Sequence, residues 1–182
     1  MEKTLPDGVA VYCASSHRVS QKYLDVARRM GELIARSGLT LVCGGGRLGL
    51  MGAAIEGAVG ASGRAVGVLP QFMIEKEWNH PDLTETISTP DMRERKQTME
   101  RLSRAAVALA GGIGTLDELA EMMTRVQLGL FAGPVIIVNT EGFYAPLVAM
   151  FAKMKEQGFM RGDEAPVIVV ATPEEAMEVI MR

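Results

Sequence analysis

The sequence predicts a three-layer α/β fold, with a mostly parallel sheet of about seven strands and helices on both faces. Three observations predict it. Short apolar runs alternate along the chain with longer segments of helical period. The runs are continuous stretches of Val, Ile, Leu and Ala, the pattern of strands buried on both faces. Two glycine-rich turns each lie between an apolar run and a helical segment, as strand-to-helix loops of parallel sheets do.

The strands are expected at Val9–Ala14, Thr40–Cys43, Ala65–Leu69, Thr84–Ser88, Ala105–Leu109, Pro134–Val138 and Val167–Val170. Helices are expected at 20–37, 48–62, 91–104, 115–129, 144–157 and 173–181. The last has the clearest entry, with the Thr172 hydroxyl placed to cap it and Pro173 at its first position. Pro70–Pro90 is the least regular stretch, and a lid or loop over a site belongs there. No internal repeat, low-complexity tract or linker divides the chain, so residues 1–182 read as one domain of three-layer, Rossmann-like build.

No apolar run approaches the roughly 18 residues of a membrane span, and the segment Met1-Glu-Lys-Thr-Leu-Pro-Asp-Gly8 lacks the pattern of a secretory signal. A cytoplasmic protein without a membrane partner is expected. The charge balance, 22 acidic against 19 basic residues, argues against nucleic acid as the main partner. Cys13 and Cys43 each end an apolar run and read as buried small hydrophobes. His17 and His80, the only histidines, have no acidic or cysteine cluster beside them, so no metal site is expected.

In open parallel sheets, ligands bind beyond the carboxyl ends of the strands. Three loops there are unusual: Cys13-Ala-Ser-Ser-His17, Gly44-Gly-Gly-Arg-Leu-Gly-Leu-Met-Gly52, and Ala110-Gly-Gly-Ile-Gly-Thr115 followed by Leu116-Asp117-Glu118. Glycines let backbone N–H groups turn toward an anion, and the helix beyond adds its dipole. Ser15, Gly45, Gly46 and the Gly111–Thr115 turn are therefore candidate contacts for a phosphorylated ligand. The alternative is that these glycines only tighten turns. Gly44-x-Gly46-x-x-Gly49 formally matches the dinucleotide fingerprint, but it follows the second strand, and the next strand ends in Leu69-Pro70-Gln71 without the ribose-binding acid. A nicotinamide enzyme is thus disfavoured. A P-loop is excluded, because neither turn ends in Gly-Lys-Ser/Thr.

With the fifth-strand helix starting at Thr115, Glu118 falls in its first turn and shares a face with Glu121. Beside a ribose, such a carboxylate can bind hydroxyls, activate water or stabilise an oxocarbenium-like transition state; alternatively it only complements the helix dipole. The run Asp91-Met-Arg-Glu-Arg-Lys96 sets Arg93, Arg95 and Lys96 at a helix N-terminus, against the dipole. A solvated basic turn is the bland account of it, and a functional one is the sharper.

These residues resemble the Lonely Guy family, the cytokinin riboside 5′-monophosphate phosphoribohydrolases. Its pattern Pro-Gly-Gly-x-Gly-Thr-x-x-Glu is similar to Ala110-Gly-Gly-Ile-Gly-Thr-Leu-Asp-Glu118, and its Met-x-x-Arg-Lys to Met92-Arg-Glu-Arg95-Lys96. Gly49-Leu-Met-Gly52, Gly67-Val-Leu-Pro70, Gln127-Leu-Gly129 and Glu141-Gly-Phe-Tyr144 agree as well, in order. The resemblance implies hydrolysis of the N-glycosidic bond of a purine nucleoside 5′-monophosphate, N6-modified or not, to free base and ribose 5-phosphate, with no cofactor. It makes Arg95 and Glu118 the catalytic pair. Lys96, Gly112, Ile113, Gly114, Thr115, Leu116, Asp117, Thr124 and Glu77 become substrate contacts. It also implies a homodimer or higher oligomer, to which Leu128-Gly-Leu-Phe131 offers apolar surface; Met99, Met122 and Met123 read first as ordinary core, with interface surface as the alternative. Four positions depart from the family: Ala110 for proline, Ala14 for glycine, Arg93 for a frequent histidine, and Arg104 where an acid is common. Ala14 stands to crowd the ligand, and the two arginines bear on base choice. A non-catalytic nucleotide or cofactor carrier and a general AMP nucleosidase are the alternatives.

Overall fold

The computed structural model describes residues 6–160 and 165–182. Strands β1 (Gly8–Tyr12), β2 (Thr40–Cys43), β3 (Ala65–Pro70), β4 (Glu85–Thr89), β5 (Ser103–Ala108), β6 (Val135–Val138) and β7 (Ile168–Val170) form one sheet. Every pairing is parallel, in the order β4-β3-β2-β1-β5-β6-β7. The helices are α1 (Gln21–Arg36), α2 (Gly49–Gly60), α3 (Gln71–Glu75), α4 (Met92–Arg101), α5 (Ile113–Gln127), α6 (Ala145–Glu156) and α7 (Pro173–Ile180).

Alternating residues of the buried strands feed separate cores on the two faces. Val9, Val11, Leu41 and Cys43 pack with Met30 and Ile34 of α1, Ile55 of α2 and Ile180 of α7. Ala10, Tyr12, Val42 and Val68 pack with Met99 of α4 and Leu119 and Met122 of α5, with Leu147 and Phe151 of α6 against them. The chain thus starts at the sheet's middle, winds outward to β4, and crosses back to the other side of β1. The reversal between β1 and β5 is the switch point at which such sheets bind ligands.

Three details differ from the sequence expectation. β1 leaves the ladder at Tyr12, and the Ala14 N–H instead donates to the Ala110 carbonyl at 3.1 Å. β5 begins at Ser103, because the polar pair Ser103 and Arg104 joins the strand while the Ser103 hydroxyl closes the end of α4 on the Met99 carbonyl at 2.8 Å. The irregular stretch after Pro70 contains α3, too short to show a period. As the favoured reading has it, Met99, Met122 and Met123 lie in the core, whereas Leu128 and Leu130 are exposed. No helix among the described residues is long and apolar enough to cross a membrane.

Candidate active site

The loops after β1, β2 and β5 open at the switch point onto a cleft of about 560 Å³. Ser15 and Ser16 enter it from the first loop, Gly44 and Gly46 from the second, and Gly112, Gly114 and Thr115 from the third. Three charged residues line it, Arg47 of the second loop, Arg95 of α4 and Glu118 of α5.

Arg95 lies on the buried face of α4 with Thr98 and Met99, while Arg93, two residues earlier, is exposed on another side. The Arg95 Nε donates to the Val68 carbonyl at 2.9 Å, and Nη1 donates to Glu118 Oε1 at 3.1 Å. Both side chains are over nine-tenths buried. Gly44 makes room for this arrangement: a Cβ there would stand 1.8 Å from Arg95 Nη2. Desolvation of an ion pair is costly, so the arrangement is a poor way to gain stability. Burial pushes the Glu118 carboxyl up to about 6, against the pull of the neighbouring guanidinium.

Helix α5 starts earlier than its sequence suggests. Gly112 is its N-cap, in extended conformation, and Ile113 its first residue. Glu118 therefore sits in the second turn, pointing inward, a correction to its expected first-turn place. The N–H groups of Ile113, Gly114 and Thr115 have no intrahelical partner at this end. Nothing crowds Gly112 or Gly114 where a side chain would be, so the backbone there is open to a ligand. Gly111 has a different task, since a Cβ on it would meet Thr115 Oγ1 at 2.1 Å.

Beside the Arg95–Glu118 pair, Lys96 bridges to Asp117 at 3.0 Å and to Glu121, and Arg125 pairs with Glu100 at 2.6 Å. Two of the three cations that oppose the α4 dipole, Arg95 and Lys96, are thus answered by carboxylates of α5. This occupies Asp117 and Lys96 with each other, outside the cleft lining.

Other predicted contacts are dispersed. Ile113 is 82% exposed at the tip of α5. Gly45, with φ +71°, packs on Leu69 instead of lining the cleft. Thr124 donates its hydroxyl to the Ala120 carbonyl at 2.9 Å and, with Leu116, lines a second cavity between α5 and α6. Glu77 is exposed in left-handed backbone, φ +55°, and its neighbour Trp78 enters the cleft in its place. Of the four departures, only Ala14 lines the cleft. Ala110 ties the first and third loops together through its carbonyl.

Sequence reasoning missed the apolar wall made by Leu48, Met73, Trp78 and Met92. Its one available signal was the chain's single tryptophan inside the irregular stretch. Cys13 and Cys43 are buried free thiols, and burial raises both, Cys43 to about 11. His80 is buried, its Nδ1 accepting from the Asp82 N–H at 3.1 Å. Among the described residues no group of three or more His, Cys, Asp or Glu is placed to hold a metal ion.

A family model described as "possible lysine decarboxylase" matches residues 51–180. The "Probable cytokinin riboside 5′-monophosphate phosphoribohydrolase" of Oryza sativa subsp. japonica is 40% identical over 172 residues, 93% of this chain and 70% of that protein. The cytokinin riboside 5′-monophosphate phosphoribohydrolase of Rhodococcoides fascians is 39% identical over 156 residues, 85% of this chain and 79% of that one. The chain belongs to the Lonely Guy family. Among solved structures, the molybdenum cofactor binding protein from Rippkaea orientalis matches with a TM-score of 0.74 at 24% identity, over 98% of this chain and 97% of that one. That likeness concerns the fold alone. Within the Lonely Guy frame, the two motifs singled out in the sequence are the two whose side chains meet as the buried Arg95–Glu118 pair.

Proposed function

We propose that this Lonely Guy member acts in the cytoplasm as a hydrolase of purine nucleoside 5′-monophosphates, releasing the free base and ribose 5-phosphate. The observation that carries the reading is the buried Glu118 carboxylate, held by Arg95 beside the open N-terminus of α5. The α5 terminus anchors the 5′-phosphate through backbone N–H groups and the helix dipole. Glu118 then engages the ribose and receives a proton from water as the water oxygen bonds to C1′. The C1′–N bond breaks, the departing base takes the bond's electron pair and a proton from solvent, and Glu118 gives up to solvent the proton it took from water. Arg95 keeps Glu118 oriented and stabilises charge at the phosphate or the leaving base. Chromatography of products from AMP, GMP, CMP and an N6-prenylated AMP tests the reading; nucleotide binding without base release from any of them would favour a carrier instead.

The Glu118 environment sets the pH dependence. Its carboxyl is raised by burial to about 6, and the mechanism uses the ionised form. The sign follows: kcat/KM stays level at neutral pH and falls as pH drops through about 6, roughly tenfold per unit. A kcat/KM–pH profile for AMP with no acid limb between about pH 5 and 7 would remove Glu118 as the base.

We also propose a homodimer. Leu128 and Leu130 are more than half exposed, next to the apolar cavity of about 430 Å³ between α5 and α6. A monomer by light scattering, fully active at nanomolar concentration, would overturn it.

A further inference from the structure

The cleft combines two kinds of surface. Ser15, Ser16, Arg47, Thr115, Arg95 and Glu118 give it polar lining; Leu48, Met73, Met92 and Trp78 give it large apolar side chains, with Arg47 next to Trp78. A nucleotide likewise combines a polar ribose phosphate and a flat aromatic base. Resting on the reading above, we infer that Trp78 is the wall against which the purine ring stacks, and so a specificity-determining residue of this chain.

Trp78 is held firmly although it is 46% exposed. Its N–H donates to the Met73 carbonyl at 3.1 Å, and its carbonyl accepts from the Arg47 N–H at 3.0 Å. Its neighbours add two more ties to the same glycine loop: Asn79 bridges Gly46, and the His80 N–H donates to the Gly45 carbonyl at 2.8 Å. Phe72 meets the indole edge-on at a centroid distance of 6.5 Å, and Lys76 Nζ lies 5.0 Å from its centroid. The left-handed backbone at Glu77 turns the chain so that residue 78 takes the cleft side. Leaving a large aromatic half bare forfeits the gain of burying it. Fixing it in place at the mouth of a cleft makes a stacking platform with little side-chain entropy left to lose on binding. Because stacking reads a ring face and not an edge, it favours extended aromatic bases over ribose alone and tolerates substituents on the exocyclic nitrogen.

Since Trp78 is the only tryptophan, its emission, excited at the red edge where tyrosine does not absorb, reports this one position. In the full-length protein with Glu118→Gln to prevent turnover, AMP should quench the emission saturably, whereas ribose 5-phosphate, which has no base to stack, should leave it unchanged. In the otherwise unaltered protein, Trp78→Ala should lower kcat/KM for AMP by at least about tenfold, mostly through KM, while Trp78→Phe stays within about threefold. Rescue by phenylalanine separates stacking from a structural need for indole. AMP hydrolysis that proceeds with Trp78 emission undisturbed on binding, or with Trp78→Ala at unaltered kcat/KM, overturns the inference and leaves the hydrolase reading standing. Saturable quenching by AMP in a protein that releases no base does the reverse.

Discussion

Replacing Glu118 with glutamine should lower base release from AMP at least about 100-fold, while AMP binding stays within about tenfold. Glutamine keeps the length and planarity of the side chain. Its carbonyl can still accept from Arg95 Nη1, so the contact between α4 and α5 survives. What disappears is the charge that a C1′ centre meets only as the glycosidic bond loosens, and that difference belongs to the transition state. The buried guanidinium loses its counter-charge, which destabilises the free protein, so the thermal midpoint is measured alongside turnover. A folded Glu118→Gln protein that keeps more than a few percent of the parent rate would show that some other group carries the chemistry.

Removing the 5′-phosphate from the substrate should be comparably damaging. Adenosine is expected to show a kcat/KM at least about 100-fold below that of AMP, because charge-assisted hydrogen bonds contribute about 1.5–3 kcal/mol each and two or three are lost. The donors are the free N–H groups at the start of α5, a helix of 15 residues whose dipole points at them, and the flanking glycines leave the approach open. Part of the loss should fall in kcat, since in the proposed mechanism the anchored phosphate holds the ribose against Glu118. Equal rates of base release from the two compounds at matched enzyme concentration would reduce the glycine turn to a structural bend.

What the sequence revealed of the fold follows from burial on two faces. A strand such as Val9–Tyr12, with neighbours on both sides and helices above and below, has no polar position to offer and stands out as a continuous run. Glu118 and Arg95 were singled out through the two motifs that resemble the family's, since their residue types alone left a dipole role and a solvated basic turn open, and nothing local says that they touch. The rest depended on geometry without a local signature. Gly112 caps α5 by its backbone, so the helix begins two residues before the first side chain that advertises it. Trp78 reaches the cleft through pairing with the Gly45–Arg47 loop some thirty positions away, and no spacing rule encodes that. Methionine serves core and interface alike, and only packing places Met99, Met122 and Met123 in the core.

The contact between Gly44 and Arg95 bears on how this scaffold can drift. A methyl group at position 44 would collide only with the far end of an arginine side chain and with the methyl tip of Met51, not with backbone. The fold can therefore absorb it by letting the guanidinium swing aside. But Nη1 and Nε are committed to Glu118 and to the Val68 carbonyl, and a swing breaks that commitment. Selection for a folded, nucleotide-binding protein would let such a change pass; selection for turnover would remove it. Positions 44 and 95 should accordingly be inherited as a unit in descendants that hydrolyse, and come apart in lineages that keep the cleft only to hold what it binds.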